Sequence, residues 1–396
     1  MPDSEPQFVV DDAIPDAARA LAGLGRVRAL PGASIDAAAV AEADALVTRS
    51  VTRVDEALVR GSRLSVVATA TAGIDHVDVG ALQAAGIAFA SSAGCNAQAV
   101  AEYVLAALLT LEAQGISTPR PLGIVGFGHV GRRVAALMRR HGVTVLACDP
   151  PLQRIRSEHD APIDFDPTLD AAARREPLLP LEALRDACGT VSVHVPLDPA
   201  GPDRTLGLVD ADFLAGLPAG AVVLNTCRGG VIDEPALLEW LAAGRGHAVL
   251  DVFAGEPYLD TVALLDRHRG AALVTPHVAG YTRQGKRAAT AMALQAVASH
   301  FGRACPSLPP LPTSSVAAPA GPNPVRELLV AHAGLAHDDE TLRDLATQPA
   351  AARGPAFEAL RRGYRLRSEH AGTRVEGPVA AATAARLRDL GFQVPA

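Results

Sequence analysis

Leu122-Gly123-Ile124-Val125-Gly126-Phe127-Gly128-His129-Val130-Gly131 reads as a strand, a tight turn and the start of a helix. The mostly apolar run Leu122 to Val125 suits a buried parallel strand, and Val130 to Arg140 carries helical periodicity. Between them stands Gly126-x-Gly128-x-x-Gly131. The first glycine allows the sharp turn, the second lets backbone approach a pyrophosphate, and the third lets helix pack on strand. Amides at the helix N-terminus, around His129 and Val130, then face the phosphates.

In a chain with 35 glycines such a pattern also fits an ordinary strand-helix turn. The context narrows it. A second apolar run, Val143 to Cys148, ends at Asp149, 18 residues beyond Gly131, near the spacing of about 20 at which a carboxylate takes the ribose hydroxyls of a dinucleotide. A 2'-phosphate there would meet like charge, so the expected cofactor is NAD rather than NADP. The residues expected to hold it are Gly126, Gly128, His129, Val130, Gly131 and Asp149.

The length of 396 residues predicts two or three domains, and 49% hydrophobic with 20% charged residues is a globular composition. A net charge of -7 argues against nucleic acid as a partner. Five cysteines (Cys95, Cys148, Cys188, Cys227, Cys305) form no CxxC pair, which suits a reducing compartment and offers no zinc spacing. The acidic start, Met1 to Pro6, does not read as a signal or transit peptide, and the most apolar helix, Val100 to Leu111, is too short to span a bilayer. A cytoplasmic protein without a membrane role is expected.

Residues 8 to 98 alternate short apolar runs (Phe8–Val10, Val27–Leu30, Ala45–Val47, Val66–Ala68, Ile87–Phe89) with helical stretches, an α/β pattern. Two strand ends deliver Thr48-Arg49-Ser50-Val51-Thr52 and Thr69-Ala70-Thr71-Ala72-Gly73, loops that composition alone also allows to be plain turns. Further runs at Val191–Val195, Ala221–Asn225, Ala248–Asp251 and Ala272–Val274 complete a doubly wound parallel sheet. Cys305 to Pro324 holds seven prolines in twenty residues and reads as an extended linker. Amphipathic helices at Val325–Ala333, Phe357–Arg367 and Val379–Leu390 predict a small α+β domain. Residues 325–396, too short to bury much core alone, are expected to pack against a second subunit as a homodimer.

Ligands gather at strand carboxyl ends in such sheets, and three charged or titratable residues stand there: Arg228, Glu256 and His277. Oxidising a secondary alcohol with a nicotinamide needs a base for the hydroxyl proton and a cation for the neighbouring carboxylate. His277 suits the base, because imidazole as a side-chain type exchanges protons near working pH. Glu256 suits the partner of its other ring nitrogen, and Arg228 suits a bidentate grip on a carboxylate. Each alone also reads as a loop residue, a strand terminator or a turn cap. Their joint placement downstream of the nucleotide motif favours a site.

Asn225-Thr226-Cys227-Arg228-Gly229, Asp251-Val252-Phe253-Ala254-Gly255-Glu256-Pro257 and Thr275-Pro276-His277 resemble the signatures of the D-isomer-specific 2-hydroxyacid dehydrogenases. The resemblance runs from about residue 8 to the end and is looser beyond Phe357. It implies catalytic roles for Arg228, Glu256 and His277. It implies NAD contacts from Asp149, Thr226, Cys227, Arg228, Asp251 and Gly280, and substrate contacts from Ser50, Thr71 and Tyr281. Arg49 is added as a phosphate partner. The substrate implied is a small phosphorylated hydroxy acid, with a phosphoglycerate or hydroxypyruvate enzyme as the alternative and a non-catalytic NAD sensor as the rival from another class. The domains expected are a flavodoxin-like substrate-binding lid over 1–98 completed by 283–305, an NAD domain over 99–282, a linker over 306–324 and a dimerisation domain over 325–396. Three positions depart from the pattern: Val195 for a threonine, Gly207 for a histidine, and Asp11 to Pro15 for a loop of the Glu-Asn-Met-Pro type.

Other residues are set aside. Cys227 lacks an acyl-transfer arrangement. Asp75-His76-Val77-Asp78 is too contiguous for one metal ion, so no metal is expected. The basic run from Arg361 to Arg367 reads as a solvated helix face or a subunit contact.

Overall fold

The first sheet grows from the short apolar runs near the N-terminus: β1 (Gln7–Asp11), β2 (Arg26–Leu30), β3 (Ala45–Thr48), β4 (Val66–Thr69) and β5 (Ala88–Ser91). All are parallel, in the order β2-β1-β3-β4-β5, a flavodoxin-like arrangement. The structure is a computed structural model describing residues 5–159 and 177–395. The first four residues, part of the acidic start, lie outside the described ones, as does the 160–176 part of the expected NAD domain.

Two compact units result: residues 1–96 with 282–312, and residues 97–281 with 313–396. In the first, the Arg283–His300 helix covers the sheet. Its start is fixed by Thr282, whose Oγ1 accepts from Gly285 N at 2.9 Å, and its inward residues Ala289, Ala293, Leu294 and Val297 join Phe8, Val10 and Val47 in one core.

The second unit is built on β6 (Leu122–Val125), β7 (Val145–Cys148), β8 (Thr190–Val193), β9 (Ala221–Asn225), β10 (Gly246–Leu250) and β11 (Leu273–Val274). Their order is β11-β10-β9-β8-β6-β7, all parallel. A single parallel bridge from Ala147 to Leu178 stands where a further edge strand would be. With it the order is that of a dinucleotide-binding sheet, and the strand order reverses between β6 and β8. The glycine loop leaves β6 at that point.

The C-terminal residues do not form a third compact unit as expected. Leu328, Leu329, Leu387 and Phe392 share a core with the Ala97–Ala113 helix, while Leu342, Leu345 and Phe357 pack on the other face with Val274 and Leu264. Burying a side chain of this kind stabilises by about 1.5–3 kcal/mol, so the amphipathic faces assigned above to a partner subunit are satisfied within the chain. The proline-rich stretch is likewise not all linker. Ser314–Ala317 (β12) pairs in parallel with Thr373–Glu376 (β13), because Thr-Ser-Ser-Val interrupts the prolines and leaves amides able to join a ladder. No described helix is long and apolar enough to cross a membrane.

Candidate active site

At the mouth of β6, Gly126 N donates to Cys148 O at 2.8 Å and His194 N to Val125 O at 2.7 Å, so the glycine loop is anchored to both neighbouring strands. Gly131 lies against the turn: a Cβ there would fall 2.0 Å from Gly126 O. A Cβ on Gly128 would meet nothing within 4 Å. The His129–Arg140 helix that follows has Gly128 as N-cap and no side-chain cap, the helix start at which a phosphate is favoured. Asp149, after β7, accepts from Phe127 N and Leu152 N, each at 2.8 Å, which holds its carboxylate beside the loop with lone pairs to spare. The open Gly128 position, the uncapped helix start and the carboxylate fit a dinucleotide.

The turn after β9 carries Thr226, Cys227 and Arg228. Asn225 shapes it, its Nδ2 donating to Arg228 O at 2.9 Å and its Oδ1 accepting from Cys227 N at 3.1 Å. A Cβ on Gly229 would sit 1.9 Å from Phe253 O, so glycine there lets this turn lie on the backbone that leads to Glu256. Burial pushes the Cys227 thiol up, which keeps it protonated and unsuited to nucleophilic work.

His277 Nδ1 lies 2.7 Å from Glu256 Oε2, and Glu256 Oε1 accepts from Phe253 N at 2.9 Å. Burial pushes the Glu256 carboxyl up, but the His277 contact, the Phe253 amide and the charge of Arg361 outweigh it, so Glu256 stays below the ordinary carboxylate range. It is therefore an anion at neutral pH, and the pairing leaves Nε2 as the nitrogen that handles a substrate proton. His277 has a left-handed backbone, φ 57°, a conformation that costs a non-glycine residue about 1–3 kcal/mol.

Asp251 holds that conformation. Its carbonyl accepts from His277 N at 2.7 Å, and its buried carboxylate accepts from Thr275 Oγ1, Val278 N and Ala279 N at 2.6–2.9 Å. Behind it, the Tyr103 hydroxyl is 2.6 Å from Thr275 Oγ1. Glu234 plays a similar part on the other side, with Oε1 accepting from Ala254 N at 2.6 Å beneath the turn that bears Glu256. Burial raises the Glu234 carboxyl to about 7.

In the first unit, Arg49 and Ser50 follow β3 and Thr71 follows β4, which is its hydrogen-bonded neighbour, so the three gather at one end of that sheet. Thr71 Oγ1 donates to Gly73 O at 2.8 Å, and Ser50 is exposed. Arg49 is committed elsewhere: its Nε and Nη2 meet the buried Asp11 carboxylate at 2.9 and 3.1 Å. That bidentate pair offsets the charge on which a phosphate role relies. His76, from the cluster set aside above, is 3.0 Å from Thr69 Oγ1, and Asp78 caps a helix.

Residues 112–279 match the model of the D-isomer specific 2-hydroxyacid dehydrogenase NAD binding domain. The chain is also 39% identical to the erythronate-4-phosphate dehydrogenase of Serratia proteamaculans, over 98% of this chain and 99% of the relative. The chain belongs to the D-isomer-specific 2-hydroxyacid dehydrogenases. An enzyme of the same name from Edwardsiella ictaluri is 39% identical over 92% of each chain. The D-lactate dehydrogenase of Aquifex aeolicus, solved with NAD and lactic acid, aligns with a TM-score of 0.56 at 20% identity, covering 75% of this chain and 96% of that one, a likeness of fold. The cofactor of this dehydrogenase is NAD.

The sequence reading missed how the dehydrogenase's C-terminal segment reaches this loop. The helix expected over 357–367 instead spans Ala350–Arg362 and stops at Gly363, so the residues after it turn inward. Arg367 Nη2 donates to Ala279 O at 2.8 Å, and its guanidinium lies 5.8 Å from the Tyr103 ring centre. Arg361 Nη2 donates to the Tyr281 hydroxyl at 3.2 Å. Within the basic run, Arg361 and Arg367 thus leave the solvated face for carbonyl, phenol and aromatic partners, while Arg362 and Arg365 remain exposed.

Proposed function

We propose that this dehydrogenase oxidises 4-phospho-D-erythronate to (3R)-3-hydroxy-2-oxo-4-phosphobutanoate, a step in pyridoxal 5'-phosphate synthesis, in the cytoplasm. The observation that carries the reading is the Glu256–His277 pair at 2.7 Å, built on strand ends of the NAD domain beside the Arg228 turn. Identity to relatives named erythronate-4-phosphate dehydrogenase supports the substrate, and five free cysteines support the compartment.

In this reading Arg228 orients the substrate carboxylate. His277 Nε2 takes the C2 hydroxyl proton, and the Glu256 carboxylate stabilises the imidazolium that forms. Hydride acceptance is the chemistry that NAD would supply when bound. Gly126 to Gly131 with Asp149 would hold its pyrophosphate and ribose, and Thr226 to Arg228, Asp251 and Gly280 its nicotinamide half. Residues 1–98 with 283–305 would supply substrate contacts from Ser50 and Thr71, and Tyr281 would add one from the NAD domain. Arg49, neutralised by Asp11, is the weakest of the proposed contacts. A homodimer through residues 325–396 completes the reading. Its support is the resemblance of Phe357–Tyr364 and Leu387–Phe392 to the dimerisation segment of such enzymes, since the apolar faces themselves are buried in the chain.

Replacing His277 with Ala separates this enzyme from a non-catalytic NAD sensor of the same fold. Loss of roughly 100-fold or more in kcat with unchanged NAD affinity is expected for a general base. Undiminished turnover in His277→Ala would remove His277 from the mechanism.

A further inference from the structure

A phosphate dianion four carbons along a substrate needs a cation, and the one expected from the sequence, Arg49, is already paired. Arg361 stands in a different position. Its guanidinium carbon lies 5.9 Å from the ring centres of both Tyr281 and Phe357. Nη2 donates to the Tyr281 hydroxyl at 3.2 Å, and Nη1 reaches Glu358 Oε1 only at 3.4 Å. Its buried Nε has no hydrogen-bond partner among the described residues. The side chain is 21% exposed, well placed to act in a medium less polar than water.

Tyr281 is held from a second side by Tyr364, whose ring meets it edge-on at 6.1 Å and whose hydroxyl donates to Asp338 Oδ2 at 3.0 Å. Arg367 fixes the backbone two residues before Tyr281 through Ala279 O. Three side chains of the C-terminal segment therefore set the place of one phenol on the loop that also carries His277. A phenol oxygen that accepts from a guanidinium must turn its own proton away from that cation, and the bond polarises its O–H. The result is a directed donor with positive charge behind it, the combination that favours an anion.

We propose that Arg361 is a positioning residue for substrate specificity, aiming and polarising the Tyr281 hydroxyl toward the terminal phosphate of the substrate. The inference rests on the phosphorylated-substrate reading above. It assigns the C-terminal segment a part in the choice of substrate.

The test is steady-state kinetics of the full chain at saturating NAD, with 4-phospho-D-erythronate and with D-erythronate, for wild type, Arg361→Gln, Arg361→Lys and Tyr281→Phe. A hydrogen bond to a charged group is typically worth 1.5–3 kcal/mol, so Arg361→Gln is expected to raise KM for the phosphorylated substrate roughly 10–100-fold. Its kcat should fall less than KM rises, since the charge of Arg361 is one influence on Glu256 beside the His277 contact and the Phe253 amide, which remain. Arg361→Lys should restore part of the loss, and adding Tyr281→Phe to Arg361→Gln should cost less than the sum of the two single changes. An unchanged KM in Arg361→Gln, or an equal fall in kcat for both substrates, overturns the inference and leaves the reaction assigned above intact. A wild type that turns over D-erythronate as well as its phosphate ester overturns both. If Arg361→Gln fails to fold, Tyr281→Phe decides: undiminished preference for the phosphorylated substrate refutes the role.

Discussion

Substituting alanine at Gly128 and, separately, at Gly131 distinguishes a glycine kept for the cofactor from one kept for the fold. At Gly128 the backbone is φ -78°, ψ -151°, open to any residue, and a Cβ meets no atom within 4 Å. Alanine there should leave thermal stability unchanged or raise it by about 0.4–1 kcal/mol, because it restricts the unfolded chain. The added methyl would occupy open space beside the uncapped helix start, where a pyrophosphate is expected to sit. Pushing a pyrophosphate back by that much resembles overpacking, about 1–3 kcal/mol, so NAD should bind roughly 5–150-fold more weakly. At Gly131 the same methyl falls 2.0 Å from Gly126 O and 3.1 Å from Ile124 Cγ2, both fixed by the sheet. Helix and strand must part, and stability and NAD affinity should fall together. Calorimetric NAD titration with thermal melts of both variants decides. Gly128→Ala that binds NAD as tightly as wild type would mean the pyrophosphate does not pass over that glycine.

Glu102 yields a pH prediction. Burial raises its carboxyl to about 7 despite bonds from Gln98 and His370 N, whereas its ordinary value is 4.5. The folded protein thus keeps a proton that the unfolded chain releases, so this contribution is complete below about 4.5 and is lost as pH rises through about 7. Two to three pKa units correspond to about 3 kcal/mol. Glu102→Gln keeps an acceptor for His370 N and cannot ionise, so its urea midpoint should gain on wild type between pH 5 and pH 8. Parallel midpoints would show that Glu102 does not titrate there. Sedimentation velocity at micromolar concentration should give a dimer that residues 325–396 are needed to form; a monomer contradicts the proposed assembly.

Much of the fold was legible because its signals are local. The glycine turn, the run to Asp149 and the five N-terminal strands each show in a few consecutive residues, and periodicity places them within a residue or two. Arg228, Glu256 and His277 were readable because strand ends in a parallel sheet converge whatever the loops between them do. What escaped depends on partners distant in the chain. Arg49 reads as a free cation until Asp11, 38 residues earlier, is folded against it. Arg361 and Arg367 read as solvated until Gly363 ends their helix and turns the second of them onto Ala279, 88 residues away. Leu335–Arg343, with its run of Asp and Glu, gives no apolar stripe, yet Asp339 is buried by an ion pair with Arg343 at 2.8 Å and a bond from Val274 N.

Following NADH formation from 4-phospho-D-erythronate with NAD, beside 3-phosphoglycerate, glycerate and D-erythronate under the same conditions, decides which hydroxy acid this dehydrogenase oxidises. 4-Phospho-D-erythronate should give the highest kcat/KM, with a 2-oxo acid as product. No NADH from that substrate, with turnover of another hydroxy acid, would contradict the proposed reaction.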